Sequence, residues 1–215
     1  MSEFVNSIDL LGDEIVMSKI IDGTITEFND NTLTSLYSYA FYKCINLKTV
    51  DLPNVTNFGT NVFEYCSMLE TVNLPLLTLV AGSNFMYCTA LKSIKFRSAT
   101  KITYGFWGCS ALTTVDFDVV TDIGTNSFYN CPNLTSLILR TPTMCRMSAS
   151  GVLNGTKIAS GTGYIYVPRS FLSDTDSTMD YRRATNWSTY ANQFRALEDY
   201  TVDGTIAGAL DESKI

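Results

Sequence analysis

FYKCINLKTVDLP, residues 41–53, returns four times in close copies. They are FEYCSMLETVNLP at 63–75, FMYCTALKSIKFR at 85–97, FWGCSALTTVDFD at 106–118 and FYNCPNLTSLILR at 128–140. Cys44, Cys66, Cys88, Cys109 and Cys131 stand 22, 22, 21 and 22 residues apart. Phe41, Phe63, Phe85, Phe106 and Phe128 keep the same steps, as do Leu47, Leu69, Leu91, Leu112 and Leu134. A unit this short cannot bury its own apolar face. The units must therefore stack into one continuous core that grows along the chain.

Within a unit, Leu47, Val50 and Leu52 are apolar while Thr49 and Asp51 are polar. That alternation predicts a short strand with Val50 and Leu52 turned inward. Successive strands then lie side by side as a parallel sheet, about 4.8 Å apart. A second segment, LTSL at 33–36, recurs as VTNF (55–58), LTLV (77–80), ATKI (99–102) and VTDI (120–123). Its apolar ends face the core. Thr34, Thr56, Thr78, Thr100 and Thr121 form a column facing water, which suits β-branched residues on a pleated surface. The Phe column is expected to be an aromatic spine, with the Cys column filling a small apolar slot beneath it.

The pattern resembles the leucine-rich repeats of the BspA type, whose unit runs as an apolar-Thr-x-Ile strand followed by A-F-x-x-C-x-x-L-x-x-V-x-L-P. The match extends over about residues 25 to 168. The resemblance implies an α/β solenoid of about six coils, right-handed and curved, with a parallel sheet on its concave face and helical caps at both ends. It also implies adhesion or host-surface interaction. The ending "VP…Y…AT-NW-x-x-Y" is similar to that of BspA-type proteins encoded by gut bacteria of the Firmicutes, many carried by prophages.

Residues 1–30 are expected to form an N-terminal cap helix and a first strand. Ile8, Leu11, Ile15, Ile20 and Ile21 have roughly helical spacing. Asp22-Gly23 turns into the strand TITEF at 24–28. The solenoid spans 31–168. Its sixth unit is irregular, with Leu153 in the Phe place, Thr156 in the Cys place and YIYVP (164–168) as the last rung. Residues 169–199 carry Tyr181, Ala184, Trp187, Tyr190, Phe194 and Leu197 at the spacing of one helical face, which predicts a C-terminal cap helix. Its N-cap is expected at Ser177 or Thr178. Residues 200–215 are a tail that repeats the DGTI of 22–25, either by chance or as an added strand or assembly handle.

Composition narrows the chemistry. The chain has 215 residues, 46% of them hydrophobic, and a net charge of −6. It shows no basic stripe, so nucleic acid is not an expected partner. It contains no histidine, which removes the usual general base, the usual zinc nitrogen ligand and every Ser-His or Cys-His pair. A line of cysteines cannot surround a tetrahedral zinc, and no Cys-x-x-Cys occurs. Cys145 lies outside the column and is either free or bridged to Cys131. Asp174, Asp176 and Asp180 have a weak calcium look, but the Gly and Glu that such a loop needs are missing. No cofactor and no metal are expected, and the reading is non-enzymatic.

The N-terminus has no positive n-region, and acidic residues interrupt its apolar positions. It does not read as a secretory signal. No run reaches the ~18 apolar residues of a membrane span, so membrane insertion is not expected. These features favour a virion or cytoplasmic location, with the cell surface or extracellular space as the alternative. The leading reading is a phage or prophage tail-associated structural or host-recognition protein, and the alternative is a bacterial surface adhesin or scaffold. Its partner is expected to be a protein or a cell-surface glycan. Homo-oligomer or virion assembly would run through the tail.

The outward residues of the sheet form columns: Thr49, Thr71, Ser93, Thr114, Ser136, Tyr164; then Asp51, Asn73, Lys95, Asp116, Ile138, Tyr166; then Pro53, Pro75, Arg97, Asp118, Arg140, Pro168. The first four rungs are small and polar. The C-terminal end changes character, and Ile138, Arg140, Tyr164, Tyr166 and Arg169 are the expected binding residues, because Tyr and Arg dominate interface energetics. The alternative is that the C-terminal cap covers them. Tyr42, Tyr65, Tyr87, Trp107 and Tyr129 sit beside the turns and either pack over the coil edge or offer a second surface.

Overall fold

The computed structural model describes residues 23–173 and 175–199, together with the backbone of 201–202 and 205–206. The helix expected over residues 7–21 lies outside the described residues. The strands, in chain order, are β1 (Glu27–Asn29), β2 (Ser35–Leu36), β3 (Thr49–Asp51), β4 (Asn57–Phe58), β5 (Thr71–Asn73), β6 (Leu79–Val80), β7 (Ser93–Phe96), β8 (Lys101–Ile102), β9 (Thr114–Phe117), β10 (Asp122–Ile123), β11 (Ser136–Leu139), β12 (Arg146–Met147), β13 (Tyr164–Val167), β14 (Phe194–Ala196), β15 (Thr201–Val202) and β16 (Thr205–Ile206). Each coil contributes one even-numbered and one odd-numbered strand. The odd strands run β1-β3-β5 and then β7-β9-β11-β13, with β14 added beyond β13. The even strands run β2-β4 and then β6-β8-β10-β12. All of these pairings are parallel, as stacked coils require. In the tail, β15 and β16 pair antiparallel as a short hairpin.

The core follows the columns. Phe41, Phe63, Phe85, Phe106 and Phe128 are fully buried. Their rings stack at 5.2, 5.4, 5.3 and 5.6 Å between centroids, with planes within 17° of parallel. Offset stacks of this kind contribute about 0.5–1.5 kcal/mol per pair beyond the area that they bury. Leu52, Leu74, Phe96, Phe117, Leu139 and Val167 form a second buried column under the odd strands.

The cysteines do more than fill a slot. The thiols of Cys66, Cys88, Cys109 and Cys131 donate to the carbonyls of Phe41, Phe63, Phe85 and Phe106, one coil back, at 3.0–3.1 Å. Cysteine is small enough for the slot and is also a weak donor. Exposed threonines do the same work outside: Oγ1 of Thr56, Thr78, Thr100 and Thr121 donates to the backbone carbonyl of the preceding Thr in its column.

The turns carry a feature absent from the alternation. Two residues per coil, two before and two after the Phe, are left-handed: Tyr39 and Lys43, Asn61 and Tyr65, Ser83 and Tyr87, Tyr104 and Gly108, Asn126 and Asn130, Gly151 and Gly155. Left-handed Tyr or Lys is strained in isolation. Hydrogen bonds to the next coil hold it, such as Lys43 N–H to the Glu64 carbonyl and Tyr65 N–H to that of Met86, both 2.9 Å. At Gly108 a Cβ would also stand 2.6 Å from the Tyr87 ring, so packing alone demands glycine there. The flanking aromatics pack over the coil edge: Tyr65 stacks on Tyr87 at 5.1 Å, and Trp107 meets Tyr129 edge-on at 5.3 Å.

The C-terminal cap differs from the expected helix. Short 3-10 turns form at Arg169–Phe171, Ser177–Met179, Tyr181–Arg183 and Trp187–Gln193, and the chain then enters β14. Tyr181, Trp187, Tyr190 and Phe194 are buried as expected, but Tyr181, Trp187 and Phe194 meet in a tight aromatic cluster in place of a helical stripe. The reason lies in specific anchors. The Trp187 indole donates to the Cys145 carbonyl at 2.8 Å, and the Cys145 N–H donates to the Tyr181 hydroxyl. The N-caps are Asp176, which accepts from Thr178 N–H, and Asp180, which accepts from Arg182 N–H. These two carboxylates thus serve the turns, and Asp174 lies outside the described residues. Asp180 is 1% exposed; burial works against its charge, but bonds from Arg182 and the charges of Arg182 and Arg183 hold its carboxyl below the ordinary value.

Candidate functional site

The register places the outward columns as the repeat predicts. Thr49 pairs with Thr71 and Asp51 with Asn73. Further along, Lys95 pairs with Asp116, Asp116 with Ile138 and Ile138 with Tyr166. The column then continues to Arg195 of β14, a rung that the sequence reading does not contain.

That added rung changes the C-terminal half. Ile138 is fully buried, so it is no surface anchor. It lies between Asp116 and Tyr166 in register, in the interior of a five-stranded sheet instead of near its edge. Asp116 is also fully buried, and Arg140 grips it through two bonds of 2.8 and 3.1 Å. Burial, the largest influence, raises the Asp116 carboxyl above the ordinary range against the pull of Arg140 and Lys95. Tyr164 is exposed but has the Arg195 guanidinium over its ring at 4.3 Å. Tyr166 meets Tyr164 at 6.3 Å. Arg169 is bound to Asp199 at 2.6 Å, and its backbone N–H donates to Glu198. Arg140, Tyr164, Tyr166 and Arg169 therefore share one end of the molecule, and Arg140, Tyr164 and Arg169 each hold a partner from their own chain there.

The open surface lies at the other end. A cavity of about 440 Å³ covers β3, β5 and β7. Thr49, Thr71 and Ser93 bring hydroxyls, Asp51 and Asn73 a carboxylate and an amide, and Lys95 and Arg97 positive charge. A second cavity of about 440 Å³ adjoins it, lined by Asn29, Asp30, Asn31, Thr32 and Pro53 and sharing Asp51. The Asn73 amide donates to Asp51 at 2.8 Å. Asp30 accepts from the Thr32 N–H, the Thr32 hydroxyl and the Leu33 N–H. Burial opposes its charge, yet those bonds prevail and hold its carboxyl below the ordinary value.

The groove coincides with a break in both sheets. No ladder joins β5 to β7 or β4 to β6, although these strands belong to adjacent coils. The same two coils stay joined at the turn, where Phe63 N–H bonds to the Asn84 carbonyl at 2.9 Å and Phe63 stacks on Phe85. Val72 consequently becomes partly accessible, whereas Val50, Ile94, Val115 and Leu137 in its column are buried. The small polar rungs are visible in the sequence, but the break that makes them a groove has no sequence signature.

The thiols offer no nucleophile. Burial pushes Cys44 and Cys131 up to about 12, and raises Cys66, Cys88, Cys109 and Cys145 well above the ordinary value. None of the six cysteines forms a disulfide, so Cys145 is unbridged. The native protein is therefore expected to leave its six thiols unreacted with a thiol-specific disulfide reagent and to titrate all six in denaturant, because the thiolate is the reactive form. Stoichiometric reaction in the absence of denaturant would contradict this burial. Among the described residues no helix is long and apolar enough to cross a membrane.

No curated protein matches the chain. Among solved structures, a leucine-rich repeat protein from Bacteroides ovatus superposes with a TM-score of 0.61 at 20% identity, over 80% of this chain and 42% of that one. At that identity the likeness bears on the fold alone. A leucine rich cell surface protein from Faecalibacterium prausnitzii gives 0.47 at 25% identity, over 55% of this chain and 40% of that one. The T. pallidum leucine rich repeat protein gives 0.46 at 27% identity, over 50% and 53%. This chain spans between 40% and 53% of the length of these proteins. The sequence profile of the BspA type leucine rich repeat region matches six copies, over residues 22–135 and 85–148, more than half of the chain. With five stacked Phe-x-x-Cys coils behind that match, the chain belongs to the BspA-type leucine-rich repeat family.

Proposed function

We propose that this chain is a non-enzymatic binding module that offers the groove over β3, β5 and β7 to a protein or a cell-surface glycan. The single observation behind this reading is the cavity of about 440 Å³ lined by hydroxyl, amide, carboxylate and cationic side chains. Such groups fix the orientation of a ligand, and none of them forms a nucleophile–base pair. The face nearer β13 and β14 is a poorer candidate, since Arg140, Tyr164 and Arg169 there are engaged by Asp116, Arg195 and Asp199. In this reading the module serves a phage or prophage tail, the alternative being a bacterial surface adhesin or scaffold. Co-sedimentation of the chain with native virions would support the first, and its recovery in the cell-wall fraction the second.

Thr71→Trp tests the groove. Thr71 is exposed on β5 and lines the cavity, and a strand accepts tryptophan there. The variant is expected to keep the wild-type thermal midpoint and to lose ligands captured from peptide and glycan arrays. Undiminished capture by the folded variant would remove the groove from consideration.

A further inference from the structure

The backbone bonds between neighbouring coils repeat down the solenoid, and one junction lacks them on both of its sheet sides. On the odd-strand side, the N–H groups of Lys48, Glu70, Thr113 and Thr135 donate to the carbonyls of Thr26, Lys48, Lys92 and Thr113, one coil back, at 2.8–3.0 Å. Lys92 holds the same place in the coil of β7 and makes no such bond to Glu70. Leu52 N–H donates forward to the Asn73 carbonyl at 3.0 Å, whereas Leu74 N–H finds nothing in β7. On the even-strand side, the N–H groups of Gly59, Thr103, Gly124 and Ser148 donate to Leu36, Val80, Ile102 and Ile123 at 2.7–3.0 Å, and Ala81 again lacks the bond. Thr78 N–H still reaches the Thr56 carbonyl, but at 3.3 Å, where Thr56, Thr100 and Thr121 make the same bond at 2.8–2.9 Å.

The turn side of this junction stays closed. Asn61, Phe63 and Tyr65 donate to the carbonyls of Gly82, Asn84 and Met86 at 2.7–2.9 Å, and the Cys88 thiol donates to Phe63 at 3.1 Å. Asn84 adds a tie, since its buried side-chain carbonyl accepts from Val62 N–H at 3.3 Å. The other coils have Ala40, Val62, Gly105, Ser127 and Val152 in that place, and none of these carries an amide side chain. Phe63 and Phe85 lie 17° from parallel, the widest tilt in the spine.

In a solenoid each coil is held only by its neighbours, so a junction loose on two sides and tied on the third has one easy motion. We infer that this junction is a hinge. The coils of β2 to β5 rotate as a block against those of β6 to β13, about the turn edge at Phe63 and Asn84. Closing brings β5 to β7, and opening parts them further. The cavity lined from β3, β5 and β7 straddles the hinge, so its width and the accessibility of Val72 follow the rotation. The inference holds whatever the groove binds.

Two spin-label pairs on the even-strand face test it. Ser35, Leu79, Lys101 and Arg146 are all exposed in one outward column, and the native thiols are buried. Ser35→Cys/Lys101→Cys spans three strand steps across the junction, and Leu79→Cys/Arg146→Cys spans three steps of unbroken ladder. The first pair is expected to give a distance distribution about twice as wide as the second. Amide hydrogen exchange of the unaltered chain supplies a measurement that needs no variant. Lys92, Leu74 and Ala81 are expected to exchange about tenfold or more faster than their equivalents Thr113, Leu52 and Thr103. Equal widths for the two pairs, or equal protection of the three amides and their equivalents, overturns the hinge.

Discussion

Arg140→Ala is expected to cost about 3–5 kcal/mol of stability at neutral pH, because it leaves a buried carboxylate without its counter-charge. Asp116 is fully buried, whereas the Arg140 side chain is 22% exposed. Arg140 also lies 3.9 Å from Asp118, so one guanidinium serves two carboxylates. The pH dependence provides a second signature. Burial raises Asp116 above its ordinary value of 3.8, so the folded chain holds this proton more tightly than the unfolded chain. Its contribution is fully present below 3.8 and is lost as pH rises through the raised value. Removing Arg140 takes away the main opposing attraction and widens that window. Urea unfolding at several pH values should thus show a penalty that shrinks on acidification. Asp116→Asn/Arg140→Ala should show a smaller penalty that no longer varies with pH. A flat penalty under about 1 kcal/mol for Arg140→Ala would mean that water reaches Asp116.

Phe85→Ala is the second large effect, with an expected loss of about 3–5 kcal/mol. Phe85 is fully buried between Phe63 at 5.4 Å and Phe106 at 5.3 Å, and it also touches Phe58 and Phe96. Truncation removes two stacked contacts and opens a cavity that rigid coils on either side cannot close. It also strikes the junction where no ladder joins β4 to β6 or β5 to β7, so the turn and the spine carry more of the contact between those coils, beside single bonds such as Thr78 N–H to the Thr56 carbonyl. Phe106→Ala, flanked by paired strands, should lose less or unfold more cooperatively. Denaturant titration of both variants distinguishes the cases, and a loss under about 1 kcal/mol for Phe85→Ala would place that ring outside the spine.

The repeat alone determined the coil, the rung, the inward residues and the Phe spine. A period of 22 leaves a chain no other way to bury its apolar side, and strand alternation fixes which residues face in. The Cys column was legible as small and buried, but its hydrogen bonds to the preceding coil were not. The tertiary structure decided the rest, because each remaining feature depends on residues far apart in sequence. Left-handed Tyr39, Lys43, Tyr65 and Tyr87 carry no glycine signal; contacts from the next coil impose that geometry. The aromatic spacing at 181–197 resembles a helix, yet Trp187 and Tyr181 are anchored 36 to 42 residues away at Cys145. The return of Phe194–Ala196 as a further strand brings Arg195 over Tyr164 and leaves Ile138 in the sheet interior. The groove depends on how two neighbouring coils fail to pair, and alternation within a single rung holds no information about its distance from the next.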